Sequence, residues 1–111
     1  MNAPLKVGQH HVRIAKHRFG TTRSGVDFHK LEFSNSYGEI TQMFYENHEG
    51  RSLINSLFSE FGFEPYRMSS KAVKYCFSQL VNQYASVKVY RSETGELSTY
   101  CWQKASKYGR V

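Results

Sequence analysis

Residues 69–103 constrain the fold more than any other stretch of this chain. Ser69 to Tyr84 has helical spacing. At 100° per residue, Val73, Phe77, Leu80, Val81 and Tyr84 share one face, and Lys71, Lys74, Tyr75, Ser78 and Asn82 share the other. Val87 to Gln103 follows without a linker and alternates with period two about Thr94-Gly95, where glycine suits the positive φ of a hairpin turn. With the loop at Glu93 to Glu96, alternation puts Val87, Val89, Leu97, Thr99 and Cys101 on a core side. Lys88, Tyr90, Ser98, Tyr100 and Trp102 take the outward side. The polar helix face offers two cations, an amide, a hydroxyl and a phenol, groups that suit phosphates and base edges. An ordinary solvated face explains the same residues without function.

The remaining elements follow from local patterns. Val12 to Phe19 alternates as a strand, Gly20 to Gly25 is a turn by composition, and Val26 to Phe33 is a second strand. The apolar phase of that second strand shifts between Phe28 and Leu31, which predicts a bulge or a twist near His29 and Lys30. Ser36-Tyr37-Gly38-Glu39 matches a capping box and predicts a helix carrying Ile40, Met43, Phe44 and Asn47, ending at Glu49-Gly50. The competing assignment is a third strand, because Ile40 to Tyr45 is rich in β-formers. Leu53, Ile54, Leu57, Phe58 and Phe61 recur at helical spacing before Gly62, a C-terminal cap. Phe63 to Met68 is the connector, with Pro65 barring continuation, and Ser69 or Ser70 caps the last helix.

The order is strand, strand, helix, helix, helix, hairpin. From Tyr37 onward it resembles a winged helix-turn-helix. The expected fold is therefore α+β, with three helices and a C-terminal hairpin behind an N-terminal hairpin. Residues 1–11 are expected to form a flexible arm, 12–104 a single domain and 105–111 a basic tail. A chain of 111 residues is long enough for one hydrophobic core.

Charge is segregated along the chain. Residues 1–35 hold six Lys/Arg against Asp27 and Glu32, and 36–65 hold Arg51 against five Glu. Residues 66–111 hold eight Lys/Arg against Glu93 and Glu96, for a net charge of +6. If the two basic ends lie together they make one positive face, which attracts nucleic acid through counterion release. Eight Phe, eight Tyr and one Trp are more rings than so small a core can hide, so some belong to a binding surface.

Two function classes lose ground. Cys76 and Cys101 lack CxxC spacing and are expected as reduced thiols, and the five histidines have no ligand-spaced carboxylates, so no metal and no cofactor is expected. The first residues lack an apolar stretch and no run is long enough to span a membrane. A cytoplasmic location without membrane contact is therefore expected. A ribonuclease needs a base, an acid and a cation, which His17, His29, Glu32 and Arg13 offer if they meet across the N-terminal hairpin. No spacing requires that meeting, and no nucleophile elbow, phosphate loop or paired-carboxylate motif occurs, so a non-enzyme is expected.

The resulting expectation is a double-stranded DNA-binding regulator of transcription or replication, acting as a homodimer. Ser70, Lys71, Lys74, Tyr75, Ser78 and Asn82 would enter the major groove. Lys88 and Arg91 would act from the wing, and Arg13, Lys16 and Arg18 would extend the contact. One alternative is an inhibitor or adaptor that takes a protein partner through Tyr90, Tyr100 and Trp102. Another is a binder of single-stranded RNA or DNA that uses the hairpin aromatics.

Overall fold

Alternation in β1 (Gly8–Thr21) buries Val12 and Ile14 and turns His11 and Arg13 outward. In the computed structural model, which describes residues 3–64 and 68–108, β1 is the centre of a five-stranded antiparallel sheet. It pairs on one side with β2 (Asp27–Asn35), which pairs in turn with β3 (Gly38–Tyr45). On the other side it pairs with β4 (Tyr84–Arg91), followed by β5 (Leu97–Ala105). The strand order is β3-β2-β1-β4-β5. Two helices, α1 (His48–Glu60) and α2 (Ser70–Leu80), cover one face. Pro65 of the expected connector and residues 109–111 of the expected tail lie outside the described residues.

Two hairpins close with the same chemistry. The backbone carbonyls of Thr22 and Ser92 each accept an N–H from the glycine three residues on (Gly25, Gly95), which sits at φ +88° in both turns. Each hydroxyl also accepts the N–H of the residue four ahead, Val26 or Glu96. A hydroxyl at the first position and glycine at the fourth thus set both turns.

The three-helix winged arrangement is not what forms. Gly38 to Tyr45 is a strand paired residue by residue with β2 over its full length. The Ser36–Glu39 pattern that resembled a capping box is a two-residue turn: Asn35 opposes Gly38, and Asn35 Oδ1 accepts the Tyr37 N–H. The β-formers of residues 40–45 outweigh the cap signal because Ile40 and Phe44 enter the core while the backbone pairs with β2 throughout. Gly50 does not end a helix either. It lies in the first turn of α1, where its N–H binds the Asn47 cap, and a Cβ there would stand 1.9 Å from the Tyr45 carbonyl oxygen.

The end of α1 follows its sequence. Gly62 adopts φ +84°, Phe63 N–H reaches the Phe58 carbonyl, and the two rings meet edge to face. The last helix stops at Leu80 rather than Tyr84. Asn82 takes a left-handed conformation, φ 74°, and its N–H binds the Ile14 carbonyl, which launches β4 along β1. The C-terminal ribbon therefore extends the sheet and is no wing beside a recognition helix.

Two bulges reset the side-chain phase. The predicted bulge near His29 is absent, since β2 pairs with β3 without interruption; the irregularity is in β1 between Ile14 and Lys16. The extra residue, Ala15, returns His17 to the helix-covered side. In β5, Cys101 sits at φ 52° beside a register shift in the β4–β5 pairing. Trp102 consequently turns into the core and Cys101 outward, the reverse of simple alternation.

The core centres on Phe33, Phe44, Phe58 and Phe77, all fully buried. The sheet curls around it until its outer strands meet. Gln42 Oε1 on β3 accepts from Ser98 Oγ (2.9 Å) and from Thr99 N and Oγ1 (both 2.8 Å) on β5, and Trp102 Nε1 donates to Thr99 Oγ1 at 2.8 Å.

Candidate nucleic-acid interface

The helices leave the outer face of the sheet uncovered. Pairing register places Arg13, Lys16 and Arg18 of β1, Lys30 of β2 and Lys88 of β4 on that face, with Arg18 directly opposite Lys30. Against these five cations the face carries Glu32 in its middle and Glu39 at its rim. None of the five is within ion-pair distance of a carboxylate among the described residues. Two like charges directly opposite each other destabilise a sheet slightly unless an anion lies over them. The two basic ends of the chain come together here because β1 and β4 are antiparallel neighbours.

Rings are interleaved with these charges. His11 stacks on Tyr84 with centroids 5.5 Å apart, Tyr90 meets Tyr100 edge-on at 5.2 Å, and Phe28 meets Tyr45 at 6.5 Å. Lys88 Nζ lies 5.9 Å from the centre of the Tyr100 ring. The outer face thus sets ring pairs near guanidinium and ammonium groups across all five strands.

The residues expected to act together occupy two surfaces. Arg13, Lys16, Arg18 and Lys88 share the outer face, joined there by Lys30, His11, Tyr84, Phe28 and Tyr45, which only the strand register reveals. Asn82 is not on the helix; its Oδ1 accepts from Arg13 Nη1 at 2.8 Å and so steadies the outer face. Arg91, at the end of β4, donates to the Gly95 carbonyl in the turn. Of the hairpin aromatics, Tyr90 and Tyr100 point outward and Trp102 is buried.

Lys71, Lys74, Tyr75 and Ser78 lie on the opposite side of the molecule. With His17 and Phe19 they line a groove of about 310 Å³ between α2 and β1. Lys74 Nζ sits 3.8 Å over the Phe19 ring. A neighbouring recess of about 470 Å³ shares Phe19, Lys71 and Lys74 and adds Gly20, Phe28, His29, Glu46 and Ser70. Phe28 belongs to both this recess and the outer face.

Behind the groove three side chains from three strands form a chain of hydrogen bonds. Glu46, just past β3, accepts from His29 Nε2 at 2.7 Å through Oε2, while Oε1 accepts from Ser70 Oγ at 3.0 Å. Arg51 Nη2 stands 3.9 Å from the same Oε1. His29 Nδ1 lies 3.0 Å from His17 Nε2. His29 and Glu46 are buried, and both imidazoles stack on Phe77. A carboxylate accepts only, so His29 donates from Nε2; in its neutral form it then offers the Nδ1 lone pair to His17 Nε2–H. The His17 Nδ1 lone pair is then left without a partner among the described residues. Burial holds the His17 pKa down at about 4, helped by His29 and Lys74, so the ring is neutral at pH 7.

His17 and His29 do meet across the N-terminal hairpin, but their carboxylate is Glu46 and not Glu32. No local spacing signals this, because the β1 bulge and the β2–β3 register bring the groups together. Among the described residues no cluster of three or more His, Cys, Asp or Glu is arranged to hold a metal ion, and no helix is long and apolar enough to cross a membrane. Both cysteines are free. Cys76 is buried, with its thiol pKa raised by that burial, and Cys101 is exposed. Compared with known proteins, the chain matches no family model and shows no significant similarity to a curated protein, so its geometry carries the functional reading.

Proposed function

We propose that the protein binds single-stranded nucleic acid across the outer face of its sheet. The observation that carries this reading is the nearness of half-buried and exposed ring pairs to five cations on the outer face of the sheet, with Tyr90 and Tyr100 also lining a cleft beside α1. Unstacked bases pack on such rings, and phosphates meet the cations between them. A duplex keeps its base faces stacked and would use the charges without the rings. Reading of a duplex by α2 has less support, since the ribbon that would serve as its wing is part of the sheet on the far side.

The test is fluorescence anisotropy with matched single strands and duplexes, about 16 nucleotides long, at two salt concentrations. Single strands are expected to bind more tightly than duplex. The double variant Arg18→Glu, Lys30→Glu is expected to weaken binding and flatten the salt dependence, by about 0.7 in logarithmic slope for each phosphate no longer neutralised. Tyr100→Ala is expected to weaken single-strand binding alone. Preference for duplex, or binding indifferent to the Arg18–Lys30 variant, overturns the proposal.

A further inference from the structure

The groove between β1 and α2 is a second surface with chemistry of its own. Its floor is a neutral imidazole backed by a buried imidazole and a buried carboxylate, and its rim carries two ammonium groups. The network reaches the surface at His17, which lines the groove beside Lys71 and Lys74. We infer that the groove is a catalytic site for cleavage of single-stranded RNA, with His17 as the catalytic base and His29 and Glu46 as its positioning residues. The substrate class rests on the nucleic-acid reading above, and Phe28, shared by the outer face and the adjoining recess, gives a bound strand a path into the site.

The hydrogen-bond directions define the step. Glu46 fixes a His29 proton on Nε2, which makes Nδ1 of the neutral His29 ring an acceptor. That in turn holds the His17 proton on Nε2 and leaves Nδ1 free to take another. The nucleophile such a base suits is one the substrate carries beside its own phosphodiester, the ribose 2′-hydroxyl. The 2′-hydroxyl proton passes to His17 Nδ1, and His17 Nε2–H passes to His29 Nδ1. The positive charge then rests on His29 against the Glu46 carboxylate. The 2′-oxygen bonds to phosphorus, and the bond from phosphorus to the 5′-oxygen breaks. The departing oxygen leaves on the far side of phosphorus and takes its proton from water, giving a 2′,3′-cyclic phosphate and a free 5′-hydroxyl, and the hydroxide so formed takes the stored proton back through His17 to restore the relay.

Lys71 and Lys74 stand where the extra negative charge on the phosphoryl oxygens would develop. Lys74 is held over the Phe19 ring and has no carboxylate partner among the described residues, which leaves its ammonium available to phosphate. A bound phosphate also offsets the positive charge of Lys74 beside His17, one of the smaller influences that keep the ring neutral.

The experiment incubates the full chain with a labelled single-stranded RNA in EDTA, reading binding by anisotropy and cleavage by product analysis. Cyclic-phosphate ends are expected from RNA, and no cleavage from the same sequence as DNA or with 2′-O-methyl riboses. His17→Ala, purified identically, is expected to cut about 100-fold more slowly or worse with binding unchanged, and added imidazole to restore part of the rate.

Glu46→Gln tests the positioning role. Its amide oxygen can still accept from His29 Nε2, but the negative charge that would hold a proton on His29 is gone. Cleavage should fall with binding unchanged, and the imidazole nitrogen shifts of His29 should show that the ring is harder to protonate. RNA that binds but stays intact overturns the catalytic inference and leaves the binding reading standing. Cleavage without preference for single strands does the opposite. Cleavage unchanged in His17→Ala overturns the assignment, and if that variant fails to fold, wild-type cutting of the 2′-O-methyl strand does so equally.

Discussion

Two part-buried polar networks hang from the same strand, β3 and its end, and they differ in one respect. The Gln42 clasp joins β3 to β5 through neutral groups, and Ser98, Thr99 and Trp102 all spend their donors inside it. The Glu46 relay joins β3 to β2, α2 and β1 through titratable groups and ends at His17, which lines a groove. A closed network has nothing left to offer a ligand and contributes only to architecture. An open one keeps a reactive end, at some cost in stability. The contrast separates what holds this protein together from what it can do.

The clasp should break hardest. Gln42→Ala removes the one acceptor for three donors, and leaving buried donors unpaired costs about 3 kcal/mol or more in urea unfolding. A loss under about 1 kcal/mol would show that β3 and β5 do not depend on it. Next comes Gly50→Ala, in the first turn of α1 against the end of β3. Its methyl meets the Tyr45 carbonyl, so α1 must shift, with an expected loss of about 2 kcal/mol. Glu46→Gln keeps the volume and an acceptor for His29, so about 1 kcal/mol is expected, small beside its effect on chemistry.

The relay also makes stability depend on pH in a defined window. His17 titrates near 6.5 in the unfolded chain and near 4 in the native one. Between those values the unfolded chain holds a proton that the native state refuses. The His17 contribution is therefore fully present above pH 6.5 and is lost as pH falls toward 4. Denaturation curves across that range should lose this component in His17→Gln, whereas the Gln42 clasp should add none. The smallest effect is chemical: iodoacetamide should modify Cys101 in the native protein long before Cys76, whose thiol is buried and harder to ionise.

Much of the fold was legible locally. The N-terminal hairpin follows from Val12 and Ile14 alternating with Arg13, α1 from its Leu-Ile-Phe spacing, and the later hairpin from Gly95. The charge map made a positive face conditional on the basic ends meeting, and the β1–β4 pairing meets that condition. What failed did so for non-local reasons. A capping-box pattern lost to strand pairing that only β2 could supply. The partnership of β1 with β4 spans about seventy residues, beyond any periodicity. Single extra residues at Ala15 and Cys101 exchanged inside for outside, which put Trp102 in the core and His17 beside Phe77. The relay was half visible: the hairpin implies the His17–His29 pair but offers Glu32 as its carboxylate. Glu46 reaches His29 instead because β3 is a strand.

The start of the chain carries one more consequence. Pro4 bridges in parallel to Glu39, the Leu5 N–H binds the Glu39 carbonyl, and Leu5 is buried. These residues shield one stretch of the β3 rim, and the Gln42 clasp shields the next. An unguarded strand rim is a template for another molecule's backbone, and proline on it offers no donor to continue the ladder. Trimming residues 1–7 should thus leave β3 ready to recruit further copies, so that self-association at high concentration, more than loss of fold, would mark the missing guard.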